Sequence, residues 1–528
     1  VSDPQDRPAA TGTDDQAGLE QFQAYRGIDE SAMTAAEARF ERRRQLTGLV
    51  AGPLAAVLLL VLPLDLPWNQ QALAAVFVFT VVFWLTEAIP IPATSLLSVA
   101  LMVVLGVGGA DEVLSSFGDT IVLLYLGAFF LSQALLKHGL AERAAYMVLA
   151  ARWVGSSVPR VVIAVGVVTC LFSAFVSNTV TVAMLLPTVL GIIVAISRQV
   201  GGDPTRLRIA TAILLMLAFS ASIGGALTPV GAPHQLIGRD LLEQAAGAQV
   251  SFFSWSAIAF TFAVPLFAAL LLLLIRLNRP EAAHIDGLAA TMAAKRDSRG
   301  RLSRGEWNTL IVFALVVIGW LLPGLSALVF GPESGVYQAL ADNLDEGIVA
   351  ILGASLLFLL PAERRTRTFT IEWRDAVKTD WGTLLFIICG AALGAQLTAT
   401  GLAERVGGAL GETFGSTSIV LLTFFAVVLA ILISEVGSNL ASVGIVVPIV
   451  IAIAIAAGVN PLLPGLAATF GSSFGFMMPI STPQNALVYA TGAVPITKMV
   501  RSGIVFDLLA AVLVTAGVLG TGTLLGLV

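Results

Sequence analysis

Apolar runs of about 17–25 residues recur from residue 46 to the C-terminus, each long enough to cross a bilayer as a helix. Nothing else in this 528-residue sequence constrains its fold as strongly. In hydrocarbon, backbone polar groups must be satisfied within the segment, so runs of this kind fold as helices. The charge content agrees: 12% of residues are charged and 57% hydrophobic, where a soluble domain carries about 25% charge. The expected class is an all-α polytopic membrane protein, with the lipid bilayer as its solvent. The net charge of −5 reflects segregated loops, and no basic domain is present to bind nucleic acid. Cys170 and Cys389 lie far apart in apolar segments and read as small packing residues. Residues 1–37 are polar and acidic, a loosely attached cytoplasmic tail, with an amphipathic lead-in to residue 45. No apolar h-region precedes residue 46, so no cleaved signal peptide is expected.

Helices are expected near 46–65, 70–86, 93–109 and 120–137, then at 209–228, 254–276, 308–323, 347–361, 382–398, 463–478 and 503–527. Two apolar pairs, 158–176 with 180–197 and 418–434 with 440–457, could each be two spans or one re-entrant hairpin. The positive-inside rule separates these readings. With both pairs as hairpins that enter and leave on one face, eleven crossings remain. Of the 29 basic residues, only Arg239 and Arg405 then fall outside. If the first pair crossed, Arg198, Arg206 and Arg208 would oppose Lys137, Arg143, Arg152 and Arg160. The hairpin reading keeps the bias, with the N-terminus cytoplasmic and the C-terminus outside.

An internal repeat supports the same reading. GLAER occurs at 139–143 and again at 401–405, and a Ser-Asn pair follows 38 and 37 residues later, at Ser177 and Ser438. Pro187 and Pro448 each lie ten residues beyond their serine. Further on, TPVGAPHQ (228–235) and MPISTPQN (478–485) align Pro229 with Pro479 and Pro233 with Pro483. The two hairpins open from opposite faces, which makes an inverted repeat, the usual construction of a secondary transporter. The basic loop 277–307 joins the halves.

Irregular backbone at membrane depth survives where it lines a cavity. The tips Ser177-Asn178 and Ser438-Asn439 and the broken segments Gly231–Pro233 and Ser481–Pro483 are therefore expected to meet near the midplane. Hydroxyl and carboxamide oxygens with free carbonyls suit a hard cation, while carboxamide and helix N-terminal N–H groups suit an anion. No buried Lys or Arg lies beside either motif, so an anion would be balanced by co-bound sodium ions and helix ends. Glu87 and Glu435 are further candidates, as intramembrane carboxylates. His234 sits at a broken helix near the site, where it could touch substrate or take up a proton. His138 and His284 fall in basic loops and are expected to be solvated. The three histidines and two cysteines assemble no nucleophile–base pair or metal cluster, so neither an enzyme nor a channel is expected.

Five stretches, WLTEAIPIPATSLL, GLAERAA, SAFVSNTVTVAMLLP, SIGGALTPVGAPHQLI and GSSFGFMMPISTPQNALVYATG, carry a resemblance. From residue 46 to the end the chain resembles the divalent anion/sodium symporter family, the INDY-like di- and tricarboxylate carriers. The resemblance implies a homodimer of eleven-helix protomers with two re-entrant hairpins. It also implies a scaffold (46–157 and 308–417) and a mobile elevator transport domain. The latter comprises 158–276, with hairpin 158–197, and 418–528, with hairpin 418–457, joined across the cytoplasmic linker 277–307. Carried over by position, one cation site would use Ser173, Ser177, Asn178 and the Gly231 carbonyl. The other would use Ser434, Ser438, Asn439 and the Ser481 carbonyl. Substrate would meet Asn178, Thr179, Asn439, Thr482 and Pro483, with Ala232, Pro233 and His234 at the first broken segment. The chain departs from the family pattern at Leu440, where a threonine is usual, at Ala232-Pro233-His234-Gln235 and at Gln484. The resemblance implies sodium-coupled symport of succinate-, malate- or fumarate-like dianions at the inner (plasma) membrane by an elevator motion. The alternatives are a sodium-independent dicarboxylate exchanger or a carrier of another anion such as sulfate.

Overall fold

The computed structural model describes residues 35–526, apart from 248, 286, 332, 364–366, 403–404 and 406–417. The expected tail, as far as residue 34, lies outside the described residues. What is described is helical, save for a two-stranded ribbon pairing Pro361–Glu363 with Thr368–Phe369.

Among the described residues, eleven helices are long and apolar enough to cross a membrane, although they are not the eleven expected crossings. Three of them, Asn178–Val200, Ile419–Val436 and Asn439–Ala456, are hairpin arms. Conversely, Ile91–Val104, Glu346–Leu359 and Leu462–Gly471 are shorter than the spans read from hydropathy. Backbone chemistry sets these ends. Ile91–Val104 stops before Gly106, whose φ of 72° no helix accommodates. Arg304–Phe330 starts earlier than the expected 308 because Ser303 and Glu306 form a capping box: Ser303 Oγ accepts from Glu306 N, and Glu306 Oε2 from Ser303 N at 2.7 Å.

The repeat is visible as two runs of elements in the same order. The first is Val158–Ser173, Asn178–Val200, Arg208–Ala226, Pro233–Ala246 and Phe252–Leu277; the second is Ile419–Val436, Asn439–Ala456, Leu462–Gly471, Pro483–Ala490 and Ile496–Leu524. The runs interlock. Pro233–Ala246 packs along the second arm of the opposite hairpin, Asn439–Ala456, and Pro483–Ala490 packs reciprocally along Asn178–Val200. Phe252–Leu277 lies against its counterpart Ile496–Leu524. Helix Arg208–Ala226 is buried on every face from Ile209 onward, which makes it the centre of this body. Arg42–Val61, by contrast, turns Leu54, Val57, Leu58 and Val61 outward, an apolar face of the kind lipid covers.

The linker is not a free loop. Val158 N donates to Ala283 O and Ile285 N to Ser156 O, tying it to the start of the first hairpin. Its helix Leu288–Ser298 packs on Leu140–Leu149, which also touches both arms of that hairpin. Arg299 pairs with Glu142, and Arg143 Nε lies 2.5 Å from Glu306 Oε1. His138, expected to be solvated, is instead half-buried: it packs against Gly305 and shares a 2.9 Å hydrogen bond with the Thr370 carbonyl. His284 is exposed.

Candidate substrate and cation sites

The two hairpin turns are built alike. Each second arm begins at an asparagine, and the serine before it is the N-cap: Ser177 accepts from Val180 N at 3.4 Å and Ser438 from Ala441 N at 3.2 Å. Five residues upstream of each asparagine, a fully buried serine donates to its side-chain oxygen. Ser173 Oγ to Asn178 Oδ1 is 2.6 Å, and Ser434 Oγ to Asn439 Oδ1 is 2.7 Å. The repeat thus extends from residue types to equivalent hydrogen bonds.

The broken segments match as well. Ala232 (φ −147°, ψ 141°) and Thr482 (φ −144°, ψ 143°) hold the same extended conformation just before Pro233 and Pro483. There they diverge. Thr482 Oγ1 caps its helix by accepting from Asn485 N at 3.3 Å, whereas Ala232 has no side chain that could do so. His234 Nε2 lies 2.8 Å from Ser473 Oγ, and Gln235 donates to the same hydroxyl. In the other repeat, Gln484 Nε2 donates to Ser222 Oγ at 3.0 Å. Each broken helix is thus pinned to the other half of the chain.

These parts surround one cavity of about 440 Å³. Its wall includes Ser177, Asn178 and Thr179 from the first tip and Ser438, Asn439 and Leu440 from the second. Ala232, Pro233, His234, Pro483 and Gln484 bring the two broken segments to the same wall. The first residues of four helices, Asn178, Asn439, Pro233 and Pro483, therefore all face the same space. Each helix N-terminus carries roughly +0.5 of an elementary charge, so four sum to about +2. Leu440 occupies the wall where the first repeat offers Thr179, an apolar patch in a polar setting. Glu87, Lys378 and Asp380 also line the cavity. Lys378 is 71% exposed and Glu87 pairs with Arg44 at 3.2 Å, so neither places a buried positive charge at the tips.

Ser173, Gly231, Ser434, Ser481 and Thr482 are not on that wall but lie buried behind it. Here helix C-termini, with their free carbonyls, converge. A Cβ on Gly231 would stand 2.6 Å from the Gly225 carbonyl oxygen and 2.9 Å from that of Ser173, so three backbone segments meet there. A Cβ on Gly225 would stand 2.2 Å from Asn178 Oδ1. In the second repeat, a Cβ on Gly475 would be 2.9 Å from Ser434 Oγ and 3.2 Å from Ser481 Cβ. Both clusters offer neutral oxygens at carbonyl-rich helix ends, a donor set suited to a hard monovalent or divalent cation.

Several participants carry no motif that would single them out. Ser473 and Ser222 act across the repeat, and only packing reveals them. Gln235 Oε1 and Asn485 Oδ1 occupy matched positions, two residues after the prolines, and both are buried without a hydrogen-bond donor among the described residues. Glu435, a candidate from sequence, accepts from Met477 N at 2.7 Å, Met478 N at 3.1 Å and Ser481 Oγ at 2.7 Å. It therefore braces the second broken segment and does not face the cavity.

The family pattern described as the sodium:sulfate symporter transmembrane region matches residues 44–528. A sodium-dependent dicarboxylate transporter, SdcS, of Staphylococcus saprophyticus is 30% identical over 477 residues, covering 89% of this chain and 90% of that one. The protein of the same name in Staphylococcus aureus strain USA300 is 28% identical over the same coverage. Among solved structures, the Alcanivorax borkumensis YdaH transporter aligns with a TM-score of 0.53 at 16% identity, covering 79% of this chain and 88% of that one. Neisseria gonorrhoeae MtrF aligns with a TM-score of 0.53 at 14% identity, covering 88% and 96%. At such identity these two likenesses speak to the fold alone.

Proposed function

The chain belongs to the sodium:sulfate symporter family, and we propose that it is a sodium-coupled carrier of small dianionic carboxylates such as succinate, malate or fumarate. The observation that carries this reading is the convergence of four helix N-termini on one cavity, with oxygen-rich clusters buried behind two of them. A dianion balances the roughly +2 of the helix ends without a fixed cationic side chain. Asn178 and Asn439 connect the two chemistries. Each side-chain oxygen points to the serine of the buried cluster, leaving the carboxamide N–H groups for substrate. Cations in the clusters would hold those carboxamides in place, so substrate binding would follow sodium binding. The dicarboxylate transporters of Staphylococcus, similar over nine-tenths of their length, support the substrate class.

The domain division, the hairpins' re-entrance and the elevator motion form part of the same proposal. Crossed packing of hairpins and broken helices supports a single body that moves as a unit. The cavity wall includes Lys378 and Asp380, beside the basic segment placed inside by the charge bias, so this conformation would open to the cytoplasm. The N-terminus would be cytoplasmic, the C-terminus outside, and the assembly a homodimer in the plasma membrane.

Purified protein in proteoliposomes should accumulate labelled succinate under an inward sodium gradient. Equal uptake with choline in place of sodium would refute the coupling. A second reading, a carrier of another anion such as sulfate, is favoured by Leu440 and Ala232, which remove two hydroxyls from the cavity side. Competition of succinate uptake by sulfate separates the two.

A further inference from the structure

His234 stands on the cavity wall but is only 3% exposed, and its partners fix what the ring can offer a ligand. Its Nε2 lies 2.8 Å from Ser473 Oγ and 3.5 Å from Gln235 Nε2, and Gln235 Nε2 also donates to Ser473 Oγ. A carboxamide nitrogen only donates, so Nε2 is surrounded by an amide donor and a hydroxyl. Ser473 and Gln235 are fully buried, and among the described residues the Ser473 hydroxyl has no acceptor other than Nε2. The bond therefore runs from the Ser473 O–H to Nε2, and the proton of the ring sits on Nδ1. Nδ1 itself has no partner among the described residues. It is not sealed in as Gln235 Oε1 is, and so it faces the cavity.

The second repeat is built differently at this point. Gln484 holds the position of His234, lines the same wall and reaches Ser222 Oγ at 3.0 Å. A neutral imidazole N–H adds a donor that carries no charge and cannot accept. On the proposed function, four helix ends and two carboxamides already serve the carboxylates of a dianion. A further donor therefore suits an uncharged acceptor oxygen. We propose that Ser473 fixes the Nδ1–H tautomer of His234 and thereby makes His234 a specificity-determining residue of the carrier. Its N–H donates to an oxo oxygen next to a carboxylate, as in a 2-oxo dicarboxylate. Ser473 acts through the ring and is a positioning residue, out of reach of the substrate. A dianion of the same length without the oxo group leaves the buried N–H unpaired. Sites built around such a hydrogen bond reject analogues that lack the partner.

This inference rests on the carboxylate reading, and a pair of probes keeps the two apart: glutarate and 2-oxoglutarate, dianions of equal length that differ in the oxo group alone. The assay is the thermal midpoint of purified protein in saturating sodium chloride at neutral pH, titrated with each anion. In the wild type, half-maximal stabilisation should need about tenfold less 2-oxoglutarate than glutarate. His234→Gln copies the second repeat, keeping the reach to Ser473 while removing the Nδ1 donor, and should bring that ratio to about one. Ser473→Ala frees the tautomer and should move the ratio in the same direction. An equal weakening of both anions in Ser473→Ala would mark a packing role and overturn the part given to Ser473. A wild-type ratio near one, as the opposite tautomer or a bound water would give, overturns the proposal, and so does an unchanged ratio in His234→Gln. Should His234→Gln not fold, Ser473→Ala decides. Failure of either anion to stabilise the wild type would overturn the carboxylate reading itself, and this inference with it.

Discussion

Alanine at Gly225 places one methyl group where the first candidate cation site is most crowded. The new Cβ would lie 2.2 Å from Asn178 Oδ1 and 3.0 Å from its Cγ and Nδ2. Helix Arg208–Ala226 is buried on all sides and cannot back away, so the carboxamide must turn. Turning it breaks the 2.6 Å hydrogen bond from Ser173 and strands two buried polar groups. At about 1–3 kcal/mol for each stranded group, the folded state loses about 2–6 kcal/mol. The oxygen offered to the cation moves as well, and each 1.4 kcal/mol of lost binding is about tenfold in affinity. The assay is the thermal midpoint of purified protein across a sodium chloride titration. Gly225→Ala should lower the midpoint without sodium and raise the sodium needed for half-maximal stabilisation at least about tenfold. Gly475→Ala, whose Cβ meets a rotatable Ser434 hydroxyl at 2.9 Å, should shift both by less. A Gly225→Ala protein with the wild-type sodium response would refute the assignment of Asn178 to a cation site.

Leu440→Thr restores to the second tip the hydroxyl that Thr179 supplies in the first. It should widen or change the anions that compete for uptake, and an unchanged competition profile would remove position 440 from the substrate wall. Arg239, 8% exposed at its side chain, joins Glu243 at 2.8 Å to Glu346 at 2.6 Å across the proposed boundary between transport and scaffold domains. Glu346→Gln should cost this conformation about 1.5–3 kcal/mol and speed amide hydrogen exchange in Pro233–Ala246. Unchanged exchange would mean that the pair does not latch the domains. Burial holds the His138 imidazole below its ordinary range, and neighbouring Lys137 adds to this against the opposing Thr370 carbonyl. Its folded form therefore favours the neutral ring. That stability is present above about pH 6.5 and is lost as pH falls through the lowered value. His138→Gln should flatten this acid limb of the thermal midpoint, and an identical limb in both proteins would refute it.

Much of this site could be read from the chain because hydropathy and charge act locally. Paired Ser-Asn and proline signals marked both tips and both breaks, and the structure gathers them around one cavity. Ser473 and Ser222 escaped that reading because a serine in an apolar helix has many uses, and what selects one is its partner across the repeat. Span lengths also escaped, since Gly106 and the Ser303–Glu306 box end or begin helices by backbone geometry that a hydropathy window averages away.

By itself, the sequence determined the membrane class, the duplicated halves and the identity of the oxygens available at the tips, because apolar length, repeat spacing and residue chemistry are local properties. Only the tertiary structure decided that four helix N-termini share one cavity while Ser173, Ser434 and Ser481 are buried behind it. Depth and direction follow from the crossed packing of each broken helix against the opposite hairpin, a contact between segments roughly 200 to 300 residues apart whose geometry no local signal encodes.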